Sequence, residues 1–328
     1  MEIRAAERYE VPQDLWTITC VFNPSGYRTK MENYHRFAQK FRDSGLPLLT
    51  VQCAFSGEPF ILPDAPDIVS VRSDSILWQK ERLLNVALSH LPLQAKKVVW
   101  IDGDLLFSNP EWAVETSKVL DTFPAAQPFQ QWCRLPENEL VFRGEGETGE
   151  SFTYQYRKSA AEDDVPQGFP GFAWAARRDV LEKHGFYDAC IIGGGDNMMA
   201  HALSGDTAAP RVQRILGVLP EKRLLRRLAH PFARPSRYFA DHYERWAAGI
   251  HADVQGNLGS VPGHLLHLWH GSMKDRRYRK RHDEMARFGY NPETDLWKNS
   301  DGAWEWSEKR ADMRRWAEDY FRQRKEDG

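Results

Sequence analysis

Short apolar runs alternating with amphipathic stretches constrain this chain more than any other feature. Leu15–Phe22, and Leu46–Cys53 with a proline near its head, are continuously apolar enough to be buried parallel strands. Between them Met31, Tyr34, Phe37, Ala38 and Phe41 recur at helical spacing, with charge on the other face. The result is a β-α-β unit whose loop Asn23–Arg28 leaves the first strand's C-terminal end. A third run, Asp67–Val71, leads to Ser75, the N-cap expected for a helix over Ile76–Leu91 with Leu77, Leu84, Leu88 and Leu91 on one stripe. Lys97–Ile101 is the next buried strand and runs straight into Asp102-Gly103-Asp104. Strands alternating with helices predict an α/β doubly wound sheet, which binds ligands at the carboxyl ends of its strands.

Farther along, residues 134–168 are polar, with Gly144, Gly146, Gly149 and the pair Asp163-Asp164, and read as a long lid-like flexible loop. Regular structure resumes with a strand at Phe172–Ala176 and a short helix at Arg178–His184. Gly193-Gly194-Gly195-Asp196-Asn197 then opens a helix reaching Leu203. Residues 206–262 read as an insertion suited to holding an acceptor. Within it 211–237 is basic, with Arg211, Arg214, Lys222, Arg223, Arg226, Arg227, Arg234 and Arg237 against a single Glu221. After His267-Leu268-Trp269-His270-Gly271 come a basic run, a tryptophan-rich turn and a helix over Ser307–Arg324. A chain of 328 residues suffices for one large domain with insertions. The boundaries expected are one domain over 1–290 and a C-terminal helical extension over 291–328. Trp297, Trp304, Trp306 and Trp316 either pack that extension down or present a surface.

Composition excludes several classes. The formal net charge of −2 gives no global field toward nucleic acid or anionic lipid, leaving only local patches. Cys20, Cys53, Cys133 and Cys190 are far apart and form no C-x-x-C pair, which argues against a zinc ribbon. The start of the chain has no apolar leader and no stretch reaches about 18 apolar residues, so a cytoplasmic protein without a membrane span is expected.

Three constellations carry chemistry. Asp102 and Asp104 are two residues apart at a strand end, which predicts carboxylates on one side with a glycine admitting a bulky ligand between them. Such hard oxygen ligands suit Mg²⁺ or Mn²⁺ carrying a diphosphate, although turns and helix caps use the same residues. His267 and His270, with Lys274, Arg276, Arg277 and Arg279 after them, form the second. Neutral imidazoles tilt the metal toward Mn²⁺, and the cations suit a departing nucleoside diphosphate. A structural histidine pair beside a solvated basic face is the plain alternative, and His264 is a nearby decoy. In the third, Asp196 is either a general base for an attacking hydroxyl or simply a residue favouring its helix's N-terminus.

In order, these elements resemble the GT-A glycosyltransferases, and most closely the β-1,4-galactosyltransferase family. The similarity begins at Trp78-Gln79-Lys80-Glu81-Arg82-Leu83-Leu84-Asn85-Val86, where the family has an aromatic residue, basic positions and a Leu-Leu-Asn-Val core. It continues through Asp102-Gly103-Asp104, the family's metal and donor motif, and then over Phe169-Pro170-Gly171-Phe172 to His184-Gly185-Phe186. Gly193–Asn197 falls where the family has Trp-Gly-Gly-Glu-Asp-Asp, and His267-Leu268-Trp269-His270 where it supplies two ligands to manganese. The similarity covers roughly 15–110 and 168–285. It implies a GT-A mixed sheet flanked by helices, with Asp104, His267 and His270 on the metal and Asp102 nearer the donor's ribose. Asp196 is then the base of a one-step inverting displacement. Phe22, Asn23, Arg28, Arg82, Gly103, Lys274 and Arg277 are expected at the donor, a UDP-sugar, and Gly194, Gly195 and Asn197 at the acceptor. Gly195 and Asn197 replace acidic residues and Ile192 replaces tryptophan, so the family's GlcNAc acceptor does not carry over.

The expectation is therefore a metal-dependent hexosyltransferase acting on a hydroxyl acceptor such as a surface glycan. A hydroxymethylated DNA base is a second acceptor, with 211–237 and 274–281 on phosphates. A nucleotidyltransferase and a non-catalytic nucleotide-sugar or glycan-binding module are alternatives of other classes.

Overall fold

The computed structural model describes residues 2–162, 168–218, 237–272 and 274–328. The first part of the chain lays down β1 (Ile3–Arg4), β2 (Leu15–Phe22), α1 (Arg28–Ser44), β3 (Leu48–Phe55), β4 (Ile68–Ser73), α2 (Lys80–His90), β5 (Lys97–Ile101) and β6 (Leu105–Phe107). The middle adds α3 (Trp112–Thr122), β7 (Ala125–Gln127), β8 (Gln131–Arg134), β9 (Val141–Phe142), β10 (Thr148–Glu150), α4 (Phe152–Glu162), β11 (Ala173–Arg177), α5 (Arg178–His184) and α6 (Gly195–Ser204). The remainder forms α7 (Pro210–Ile215), α8 (Tyr238–Val254), β12 (Leu258–Ser260), β13 (His264–His267), α9 (Lys280–Met285), α10 (Pro292–Asp295), β14 (Leu296–Lys298), β15 (Trp304–Trp306) and α11 (Ala311–Arg322).

A seven-stranded sheet in the order β12-β7-β11-β5-β2-β3-β4 is the centre of the molecule. The pairs β5-β2, β2-β3, β3-β4 and β12-β7 are parallel, and β11 is antiparallel to both neighbours. The sheet is thus mixed, flanked by helices as expected, with one reversed strand. Every residue of β3 and β5 is buried, as apolar runs covered on both faces require. On one face Ile18, Val51, Val98 and Trp100 pack with Leu83, Leu84 and Ala87 of α2 and Met198 and Leu203 of α6. On the other, Leu15, Val99 and Ile101 meet Tyr34, Phe37 and Phe41 of α1 and Trp112 of α3. Val98 and Trp100 alternate with Val99 and Ile101, the period of two expected of a strand.

A second sheet, β10-β8-β13-β6, lies at one end. Because β6 follows β5 after only three residues, the turn Asp102-Gly103-Asp104 joins the two sheets. β13 pairs with β6 so that His267 stands opposite Leu105.

Local signals mislead in three places. The helix expected from Ile76 begins at Lys80, and Ser75 is no N-cap. Its hydroxyl accepts from the Trp306 backbone at 3.0 Å, and the Trp78 N–H goes to the Ile191 carbonyl at 2.8 Å. Tertiary partners thus consume the groups that would have started the helix. The polar stretch 134–168 is only partly loop: β9, β10 and α4 lie within it, while Asp163 and Asp164 fall outside the described residues. The insertion expected over 206–262 ends in β12, an edge strand of the main sheet. The C-terminal segment does form a helix, and Met313, Ala317, Tyr320 and Phe321 of α11 share the core of the central strands. No helix among the described residues is long and apolar enough to cross a membrane.

Candidate functional site

Asp102 and Asp104 do not point to one place. Residues 102–104 form a turn rather than strand, so the period-two argument stops at Ile101. Their carboxylates head two adjacent clusters.

Asp104 faces the histidines. Its Oδ2 is 3.2 Å from His270 Nε2 and 3.6 Å from His267 Nε2, and the two Nε2 atoms are 2.9 Å apart. One ligand atom from each of the three residues lies within 4.8 Å of the others. The strand ladder sets this geometry, since β13 carries His267 beside β6 and Leu268 donates to the Asp104 carbonyl at 2.9 Å. Burial, together with the Arg276 guanidinium, drives both imidazoles well below their ordinary pKa, so they are neutral with lone pairs to offer. Burial and the nearby Asp102 charge push the Asp104 carboxyl up to about 7, against the pull of Arg276. Asp104 Oδ1 is buried without a hydrogen-bond partner.

Those observations test the fit of a divalent metal. Two neutral nitrogens and one carboxylate, one of whose oxygens is buried and orphaned, are a donor set suited to a first-row transition ion. The opposing feature is Arg276, whose Nη2 donates to the His270 ring and, at 2.8 Å, to the His270 carbonyl. Its own Nε has no partner, so its side chain holds the ring by one end only. The residues fit the ion provided that this guanidinium shifts.

Asp102 faces Lys80, the first residue of α2. The ammonium lies 2.7 Å from Asp102 Oδ1 and 2.9 Å from Asp196 Oδ1, so one lysine bridges the strand end and the helix α6. Only 8% of the Lys80 side chain is exposed, against 34% for Asp102 and 27% for Asp196. Burial works against the lysine's charge, yet Asp102, Asp196 and Glu81 together hold it well above the ordinary range. Asp196 stands in the first turn of α6 but makes no side-chain cap bond, its carboxylate being committed to Lys80. Burial raises its pKa, Asp102 adds to the rise and Lys80 opposes it.

The glycines ahead of Asp196 have identifiable reasons. Gly193 and Gly194 take φ of 82° and 106°, which side chains rarely adopt. A Cβ on Gly195 would lie 2.0 Å from the Glu81 carboxylate. Glu81 is buried, and burial first, then Asp196 and Asp102, push its pKa up to about 8 despite Lys80. Behind the loop stand Arg281, within 3.3 Å of a Cβ on Gly193, and His282, within 3.0 Å of one on Gly194. Asn197 Oδ1 is buried and unpartnered.

The other expected contacts are dispersed. Arg82 is paired with Asp188 at 2.8 Å and stacked over Trp304, turned away from both clusters. Arg277 is spent on Glu284 and Gln323, and Lys274 is exposed, so Arg276 is the cation that reaches the histidines. Phe22 is buried edge-on against Trp78, and Asn23 closes the first loop through two bonds to the Tyr27 backbone. The Arg28 side chain is exposed beside Glu32. A Cβ on Gly103 would meet the Tyr34 ring at 3.1 Å. Arg211 and Arg214 belong to α7, whereas Lys222, Arg223, Arg226, Arg227 and Arg234 lie outside the described residues. Sequence reasoning assigned no role to Lys80, Glu81 or His282, and Arg281 entered it only within the basic stretch 274–281 of the DNA-acceptor alternative. The run Lys80-Glu81-Arg82 offered three charges on one turn, and only the fold chooses which two face inward.

No protein-family model and no curated protein matches this chain. Among solved structures, it is similar to the catalytic domain of Drosophila β1,4-galactosyltransferase 7, crystallised with xylobiose: 12% identity, 58% of this chain, 59% of that one, TM-score 0.29. Another is the M. tuberculosis glucosyl-3-phosphoglycerate synthase, at 11% identity, 90% and 87% coverage and TM-score 0.38. A third is the 4-diphosphocytidyl-2C-methyl-D-erythritol synthase of Anaerococcus prevotii, at 10% identity, 78% and 88% coverage and TM-score 0.30. The chain thus spans about three-fifths of the galactosyltransferase structure it matches, and similarity at these values does not assign it to a family.

Proposed function

We propose that this chain is a metal-assisted glycosyltransferase of the GT-A type, moving a sugar from a nucleotide-sugar donor, a UDP-sugar, to a hydroxyl acceptor. One observation carries the reading: a single three-residue turn at the sheet's carboxyl edge feeds an Asp–His–His cluster on one side and a carboxylate–lysine–carboxylate bridge on the other. A diphosphate and a hydroxyl acceptor need those two environments side by side. Asp104, His267 and His270 would hold Mn²⁺ or Mg²⁺, which supplies charge stabilisation to a diphosphate leaving group. Arg276 offers a further cation there. Asp196 would take the proton from the acceptor hydroxyl, because a carboxyl raised above its ordinary range is the stronger base. Lys80 keeps that carboxylate aimed and ionised, and Asp102 anchors the lysine. The glycine loop and Asn197 would shape the acceptor pocket.

The test is release of nucleoside diphosphate from a panel of nucleotide sugars with Mn²⁺ and no acceptor. Slow release from one donor, lost in Asp104→Ala, is the expected result. Asp196→Asn should keep donor binding and lose transfer by about 10²–10⁴-fold. Absence of both binding and release across the panel overturns the reading, and pyrophosphate release from a nucleoside triphosphate replaces it with nucleotidyl transfer.

A further inference from the structure

The chain beyond α11 turns back over the site. Tyr27 of the first loop donates its hydroxyl hydrogen to the Phe321 carbonyl at 2.9 Å and accepts from the Lys325 N–H at 3.0 Å. The Asp327 carboxylate accepts from the backbone N–H groups of Arg28 at 3.0 Å and Thr29 at 2.8 Å. These open α1, a helix of 17 residues with no side-chain cap bond and no acidic residue in its own first turn. Among the described residues, its positive end takes its side-chain acceptor from almost three hundred residues away. Glu326 is buried, ion-paired with Arg324 at 2.5 Å, and feels the charges of Lys30 and Arg276. Arg276 is itself 5% exposed, and its Nε has no partner. The tail backbone lies against Gly271, where a Cβ would be 2.5 Å from the Lys325 carbonyl and 2.9 Å from Glu326 Cα.

We propose that residues 324–328 are an intramolecular ligand of an anion seat, and that the carboxylates of Glu326 and Asp327 occupy positions taken by a diphosphate when one binds. The seat consists of Arg276, Lys30 and the first N–H groups of α1, beside Asp104 and the two histidines. Two adjacent carboxylates match a diphosphate in charge, and a helix N-terminus is a general phosphate site. Diphosphate binding and tail docking are then mutually exclusive. The inference extends the donor-site reading above to its regulation, naming the diphosphate portion as the competitor.

Inorganic pyrophosphate with Mg²⁺ tests it without any sugar chemistry. Titration calorimetry on the full chain, Asp327→Asn and Gly271→Ala should give roughly tenfold tighter binding in both variants, because each loosens the competitor without removing a cation of the seat. In the unsubstituted chain, saturating pyrophosphate should speed hydrogen exchange at the Lys325 amide. A synthetic peptide of residues 321–328 should weaken pyrophosphate binding to Asp327→Asn, and the exchange readout on the unsubstituted chain does not depend on how well either variant folds. Unchanged or weaker binding in Asp327→Asn, or no change at the Lys325 amide on saturation, overturns the inference. Displacement of the tail by pyrophosphate with no nucleotide sugar ever turned over leaves the anion seat standing and removes the glycosyl-transfer reading instead.

Discussion

Lys80 is the residue that ties Asp102 at the strand end to Asp196 of α6. Removing its charge by Lys80→Met leaves Asp102 and Asp196 facing each other across a poorly hydrated gap. Deleting one partner of a fully buried pair costs about 3–5 kcal/mol. Here both carboxylates keep partial exposure, so about 1–3 kcal/mol is expected, read as a lower urea midpoint. Glu81 behaves differently. Its carboxyl is raised to about 8 in the folded chain against 4.5 ordinarily, so the folded state binds more protons between those values. This contribution to stability therefore falls as pH rises from about 4.5 toward 8. Glu81→Gln should flatten that part of the stability profile, with the urea midpoint changing less between pH 5 and pH 8 than in the unsubstituted chain. An equally steep profile in the variant would assign the dependence to other groups.

Elements, not single side chains, aim these residues. The β14–β15 hairpin holds the start of α2 through Gln79, which donates to the Trp304 carbonyl at 2.8 Å and accepts from the Trp304 N–H at 3.1 Å. Asp74 N–H adds a bond to Glu305 at 2.9 Å. Gln79 is fully buried, so Gln79→Ala orphans the Trp304 N–H, leaves the Trp304 carbonyl to the Ser73 hydroxyl alone, and should destabilise by about 1–3 kcal/mol. It should also lower transfer more than donor binding, since Lys80 follows it directly. The junction of α6 with α2 gives a sharper test. Gly195→Ala drives a methyl into the Glu81 carboxyl and should cost about 1–3 kcal/mol. Glu81→Ala makes room, so the double variant should recover part of that loss, a positive coupling measurable by a double-mutant cycle. Strict additivity would mean that the glycine answers to backbone conformation alone.

At the scale of the molecule, the site is a junction of two sheets and a returning C-terminus, and binding there should stabilise the whole chain. A divalent ion held by Asp104, His267 and His270, as proposed, would stabilise the folded state by about 2.7 kcal/mol at a hundred times its dissociation constant. Mn²⁺ should accordingly raise the melting temperature, EDTA should reverse the rise, and His270→Ala should abolish it. A rise of equal size in His270→Ala would place the ion elsewhere. The extension is not an appendage either, because α11 shares the core of the central strands, so unfolding is expected in one transition.

Strand runs, the amphipathic α1 and the acidic turn after β5 are legible in the sequence because each rests on periodicity within a dozen residues. The grouping of Asp104 with His267 and His270 comes from the family resemblance, since residue type alone offers both carboxylates of the turn and the histidines as separate candidates. Direction is not legible. Which carboxylate of the turn faces the histidines, and whether Lys80 or Arg82 turns inward, depend on how β6 pairs with β13 and how the β14–β15 hairpin seats α2. Ser75 looks like a helix cap until Trp306 claims its hydroxyl from more than two hundred residues away. Hydrophobic pattern is a local property that a sequence states directly. The pairing of buried charges is settled by desolvation among groups distant in the chain, and only the assembled tertiary structure decides it.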